Sequence, residues 1–213
     1  MSSLNLKLKS LFPSREGEKS ASGIKRITLS KIVKYDKREK ITLEYLKRIL
    51  YYHANSGDWI WLEDRPLGAY VKQGSRAGTI NGKGYIQIGI DGSIYQAHIL
   101  AWFYETGEWP LDEIDHINTI SYDNAWSNLR EASHAQNKAN VNKFSSNSSG
   151  FKGVCWDKRR KKYVVHICVE GDQKHLGYFK DIIIAARTYD RAAIKYHREF
   201  ARLNFPLEDY LNE

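Results

Sequence analysis

Two cysteines in 213 residues, Cys155 and Cys168, are all the thiols the chain has. That count excludes a disulfide framework and a four-cysteine zinc site, and both residues read as small core side chains. No apolar run approaches the roughly 18 residues of a membrane span. The stretch from Met1 to Ser22 mixes Lys, Ser, Glu and Leu and lacks the apolar core of a signal peptide. An intracellular protein with no membrane partner is expected. There is no internal repeat. What remains is an ordinary folding composition, 42% hydrophobic and 13% aromatic, in a length that holds one compact domain or two small ones.

Acidic charge is also in short supply, and unevenly so. The formal net charge is +8 and the pI about 9.3. From Ser148 to Asn204 there are thirteen Lys/Arg against six Asp/Glu, so almost all the excess sits in one segment. Such a segment suits a polyanion, where bound cations displace counterions from phosphate.

Residues 1–25 read as a basic, poorly ordered leader. Leu43, Leu46, Ile49 and Leu50 follow helical spacing after the candidate cap Thr42, and the spacing predicts a helix ended by Gly57. Trp59–Leu62 is a short strand candidate. Ile86, Ile88 and Ile90 alternate on one strand face, Asp91-Gly92 is a hairpin turn signal, and Ile94 to His98 returns. A short apolar helix over His98–Tyr104 follows. The polar stretch 139–150 is the best linker candidate. Beyond it, strands are predicted at Gly153–Asp157, Tyr163–Val169 and His175–Phe179, then a helix over Ile182–Glu199. Its predicted apolar face is Ile182, Ala186, Tyr189, Ala193 and Tyr196.

The stretch from Ile114 to Asn140 carries the chemistry. Asp115 and His116 are adjacent, Asn128 follows His116 by twelve residues and Asn137 by twenty-one. Tyr122-Asp123-Asn124 reads as a turn and Ser133 as the cap of a last helix, giving a hairpin followed by a helix. A neutral imidazole takes a proton from water near pH 7, so His116 is a candidate general base. Asp115 and the amide oxygen of Asn137 are hard ligands suited to Mg²⁺ or Mn²⁺. The Asn128 amide suits tying the hairpin loop to the backbone, which would steady His116. His98 and His134 are candidate supporting residues.

These positions resemble the HNH family of nucleases, in its phage and intron-encoded branch. The words D-N-A-W-S-N-L-R-E-A, A-Q-N and A-H-I-L-A-W-F-Y-E-T-G-E-W-P also match, over roughly residues 42–143. The resemblance implies a ββα-metal fold, one divalent cation per active site held by Asp115 and Asn137, and catalysis by His116 with Asn128. One departure is Thr119, where members often carry Gly.

The segment from Ser149 to Pro206 contains F-K-G-V, K-Y-V-V-H-I, L-G-Y-F, A-A-R-T-Y-D-R-A-A-I-K and L-N-F-P. It is similar to the plant ethylene-response-factor DNA-binding domain of the AP-two class, a three-stranded sheet backed by a helix. That likeness implies DNA contacts from Lys152, Trp156, Lys158, Arg159, Arg160, Lys162 and Tyr163. Cys155, His166, Cys168 and His175 depart from the plant pattern, so the plant target is not implied.

The sequence thus leads to an α+β protein: leader 1–25, nuclease module 26–143 with its core at about 112–140, linker 144–150, DNA reader 151–206 and tail 207–213. The expected function is a homing-type endonuclease on double-stranded DNA, with no small-molecule cofactor. A DNA-binding regulator with an inactive HNH module is the alternative. A monomer with one such centre nicks and a dimer cuts both strands, and the spacing does not choose between them.

Overall fold

The computed structural model describes residues 41–65, 71–142 and 147–211. The expected leader, residues 144–146 of the expected linker and the last two tail residues lie outside them. The chain divides into two compact units between Glu131 and Ala132.

The first unit opens with α1 (Leu43–Ile49), capped by the Thr42 hydroxyl, which accepts from the Tyr45 N–H. The helix does not run on to Gly57. At Leu50 the chain becomes β1 (Leu50–His53), paired antiparallel with β2 (Asp58–Trp61). Leu50 lies opposite Trp61 and Tyr52 opposite Trp59, and all four side chains are buried. This period-two burial of aromatics outweighs a helical pattern that offered only Leu50 beyond Ile49.

Strands β3 (Thr79–Ile80), β4 (Ile86–Ile90) and β5 (Ser93–Gln96) form an antiparallel meander. Its second turn has positive φ at both Asp91 (48°) and Gly92 (76°), the two-residue turn that matches strand twist. Helix α2 (Ala97–Thr106) follows directly and stops at a left-handed Gly107. Its Ala97, Leu100, Ala101 and Phe103 share one core with Leu46, Ile49, Trp59, Ile88 and Ile90. Each fully buried Leu or Ile there contributes about 1.5–3 kcal/mol. Next, β6 (Glu113–His116) and β7 (Leu129–Ala132) pair as a two-stranded sheet around the loop 117–128.

The second unit begins with α3 (His134–Asn140), whose start is fixed by a reciprocal capping box between Ser133 and Gln136. Strands β8 (Val154–Asp157), β9 (Lys162–Val169) and β10 (Asp172–Phe179) then form an antiparallel sheet with β9 central. Helix α4 (Ile182–His197), capped by Asp181, lays Ala185, Ala186, Tyr189 and Ala193 against Val154, Val165 and Ile167. Two expectations fail here. Tyr196 is exposed, and the buried face takes in Asp190 instead. Cys155 and Cys168 are exposed and not core, because Val154, Val165 and Ile167 hold the inward positions and their neighbours alternate outward. The sequence boundary at 143 groups α3 with the first unit, whereas packing groups it with the second, where Ala132 and Ala139 bury with Phe200. Among the described residues no helix is long and apolar enough to cross a membrane.

Candidate active site

Strand β6 delivers Asp115 and His116 into the interior of the first unit, and both are buried. The loop that follows is knotted by amides. Asn128 Oδ1 accepts from the Asn118 N–H (2.9 Å), and Asn128 Nδ2 donates to Asn118 Oδ1 (3.0 Å) and to the Asp123 carbonyl (2.7 Å). The Ile117 N–H meets the Asn128 carbonyl at 2.9 Å, so both ends of the loop are drawn to one residue.

Within this loop Thr119 has φ 65°, with its N–H on the His116 carbonyl at 2.9 Å. A β-branched residue in the left-handed region costs about 1–2 kcal/mol. Thr119→Gly is therefore expected to stabilise the protein by about 1 kcal/mol, roughly 2–4 °C in Tm. A melting curve that shifts down instead contradicts this account of the turn.

The His116 ring is held from two sides. Its Nε2 lies 3.0 Å from Asn124 Oδ1. An amide oxygen only accepts, so Nε2 carries the hydrogen and the basic lone pair is on Nδ1. Asn124 is 0% exposed. Its carbonyl accepts from the Tyr52 hydroxyl at 2.6 Å. Gly57, at φ 76°, packs so close that a Cβ there would lie 2.3 Å from the Asn124 carbonyl carbon. The Trp126 N–H reaches the Ala54 carbonyl (2.8 Å), so the β1–β2 hairpin buttresses the loop at three points. On the other side, His98 of α2 meets His116 edge-on, with centroids 4.9 Å apart and planes at 71°. Tyr85 packs on both, at 5.3 Å from His98 and 5.9 Å from His116.

Burial pushes His98 down to about 3, with the neighbouring His116 adding to it. Burial also lowers His116, against the pull of its Asn124 hydrogen bond and of Asp115. Both imidazoles are neutral at pH 7. The folded chain then refuses at His98 a proton that the unfolded chain accepts near 6.5. Its contribution is intact above about pH 6.5 and is lost as pH falls toward 3. Urea unfolding between pH 7 and 4 is expected to show a steeper loss for wild type than for His98→Phe. Parallel losses contradict a buried neutral His98.

Asp115 Oδ2 accepts from Arg130 Nε (2.9 Å) and lies 2.8 Å from its terminal nitrogen, which fixes the carboxylate plane. Among the described residues no group of three or more His, Cys, Asp or Glu is placed to hold a metal. One buried carboxylate fits Mg²⁺ or Mn²⁺, which keep several waters, better than it fits zinc, which prefers a closed protein cage. His134 is exposed in the first turn of α3 and Asn137 is half-buried in the same helix, both in the second unit. Asn124 and Arg130 stand in the D-N and N-L-R words, which pointed to the positions and not to their jobs. Tyr85 lies in no motif.

In the second unit, Lys158, Arg159, Arg160 and Lys161 are exposed at the β8–β9 turn. Asp157 organises it by accepting from the Arg159 and Arg160 N–H groups and pairing with the Arg160 guanidinium at 3.0 Å. The strand register puts Trp156 opposite Tyr163 in an edge contact of 4.8 Å. Both alternate onto the helix side of the sheet, and Lys162 onto the other side with Val164, His166 and Cys168. Lys152 points elsewhere: its ammonium donates to the Ala139 and Val141 carbonyls, each at 2.6 Å.

A family model described as HNH endonuclease matches residues 95–139, a span that holds His98, Asp115, His116, Asn128 and Asn137. Protein 3.8 of Escherichia phage T7 is 33% identical over 106 residues, 49% of this chain and 87% of that protein. The chain belongs to the HNH endonuclease family. A 65-residue stretch of this HNH protein, toward its C-terminus, is also 45% identical to APETALA2-like protein 2 of Oryza sativa subsp. indica. The AP2-like ethylene-responsive transcription factor TOE2 of Arabidopsis thaliana is 42% identical over 65 residues. Each plant match covers 30% of this chain, but only 15% and 13% of the respective plant proteins.

Proposed function

We propose that the protein is a site-specific, homing-type endonuclease that acts inside the cell on double-stranded DNA, with one divalent cation, Mg²⁺ or Mn²⁺, and His116 as general base. The observation that carries this reading is the state of His116: neutral, buried beside Asp115, and with Nε2 committed to Asn124 so that Nδ1 is the base. Nδ1 takes the proton of a water as its oxygen attacks phosphorus. The 3′ oxygen leaves with the electron pair of the broken P–O bond and takes a proton from solvent water to become the 3′ hydroxyl, and the phosphate stays on the 5′ end. A bound cation supplies Lewis-acid stabilisation to the phosphate and the leaving oxygen. Asp115 would hold it, and Asn137 is the second oxygen ligand that the sequence spacing supplies. Arg130 keeps the Asp115 carboxylate in one orientation, and Asn128 keeps the loop closed.

The module split follows the same reading, with 26–143 holding the nuclease motif and 151–206 the reader. Lys158, Arg159, Arg160 and Lys162 neutralise phosphates, so DNA affinity falls steeply with salt. Trp156 and Tyr163 add an aromatic edge beside that turn. Supercoiled plasmid with Mg²⁺ and an excess of duplex DNA or duplex RNA competitor tests the substrate class. Duplex DNA is expected to suppress cutting and RNA to leave it intact; suppression by RNA alone overturns the DNA assignment.

A further inference from the structure

Helix α3 carries Asn137, yet it is only seven residues long. A helix that short does not hold its shape in water by itself, and its last carbonyls lack partners within the helix. The second unit supplies both needs. Lys152 Nζ donates to the Ala139 carbonyl inside the helix and to the Val141 carbonyl at its cap. Beside it, Arg202 Nε donates to Asn142 Oδ1 at 3.0 Å. On the apolar side Ala139 buries with Ala132 and Phe200.

Lys152 is itself fixed by the core of its unit. Asn204 Oδ1 accepts from the Lys152 N–H at 2.6 Å, and Asn204 Nδ2 donates to the Lys152 carbonyl at 3.2 Å. Asn204 is held in turn by the buried carboxylate of Asp190, through its N–H and its Nδ2, both at 2.9 Å to Oδ1. A continuous run of hydrogen bonds therefore leads from α4 through Asn204 and Lys152 to the end of the helix that bears Asn137.

We propose that Lys152 is a positioning residue for the nuclease: it clamps α3 onto the DNA reader, so that cutting requires a folded reader and not merely a tethered one. The proposal rests on Asn137 belonging to the catalytic centre. It also gives Lys152 a task that the family likeness assigned to DNA. Misplacement of about 1 Å in a catalytic group costs on the order of a hundredfold in rate, which is why a two-hydrogen-bond clamp on a short helix matters.

The test uses the full chain as wild type, Lys152→Met, which keeps the stem and removes the donors, and Lys152→Arg, which restores them. Amide hydrogen exchange, DNA affinity and single-turnover cleavage at saturating DNA with Mg²⁺ are measured for each. Lys152→Met is expected to speed exchange at residues 137–141 about tenfold and leave α4 protected. Cleavage falls roughly tenfold or more while DNA affinity stays within about threefold, and Lys152→Arg recovers both. If Lys152→Met unfolds the unit, Arg202→Gln loosens only the exposed side of the clamp, and it is expected to speed α3 exchange about threefold. Unchanged α3 exchange overturns the clamp, as does weaker DNA binding with a shallower salt slope and full cutting at saturation. A wild type that never cuts overturns the nuclease reading, and α3 exchange reports separately on the clamp.

Discussion

Replacing His116 by alanine is expected to lower single-turnover cleavage by about 10²–10⁴-fold, the usual contribution of a positioned general base, with DNA affinity left within about twofold. The size follows from how much structure is devoted to this one ring. Asn124 fixes its tautomer, His98 and Tyr85 fix its plane, and Tyr52 and Gly57 fix Asn124. None of these groups belongs to the basic turn at 158–162, to which the proposal gives the phosphate contacts. The pH dependence has a definite sign. Burial holds His116 below 6.5, so Nδ1 stays free of its proton below that pH, and the acid limb of cleavage has its midpoint under 6.5. A limb centred above 6.5, or a His116→Ala protein that cuts at the wild-type rate, removes the imidazole from the mechanism.

The second large effect concerns stability. Asp190 is 0% exposed and accepts from Asn204 N–H, Asn204 Nδ2, Phe205 N–H and the Tyr210 hydroxyl. Asp190→Ala leaves these donors partly buried and unsatisfied, at about 1–3 kcal/mol each where no water reaches them. A loss of about 4 kcal/mol or more for the second unit is expected in denaturant unfolding, with Asp190→Asn intermediate because it keeps one acceptor. A change below about 1 kcal/mol contradicts the placement of the C-terminal segment around this carboxylate.

Much of this was legible because the signals are local. The Asp91-Gly92 turn, the Ser133 cap and the alternation of Ile86, Ile88 and Ile90 each specify their element within a few residues. The spacing of His116, Asn128 and Asn137 was legible as a family pattern, and the HNH family model spans all three. What the sequence hid depends on distant partners. Leu50 leaves its helix because Trp61 lies opposite it, and nothing near Leu50 announces that. Cys155 and Cys168 look like core residues until Val154, Val165 and Ile167 occupy the inward register. Lys152 sits in a basic, DNA-like word, yet its ammonium is drawn to carbonyls 11 and 13 residues upstream. Asn124 was visible in the D-N word, but its hydrogen bond to His116 exists only once the loop closes.

The most direct test of the nuclease assignment starts from wild-type protein bound to supercoiled plasmid or phage genomic DNA in chelator, then adds excess Mg²⁺ or Mn²⁺. The expected result is conversion to nicked or linear DNA with 5′ phosphate ends, blocked by chelator and absent for His116→Ala. A complex that forms, dissociates with salt as expected, and leaves the DNA uncut with every divalent metal would contradict it and mark the protein as a DNA-binding regulator.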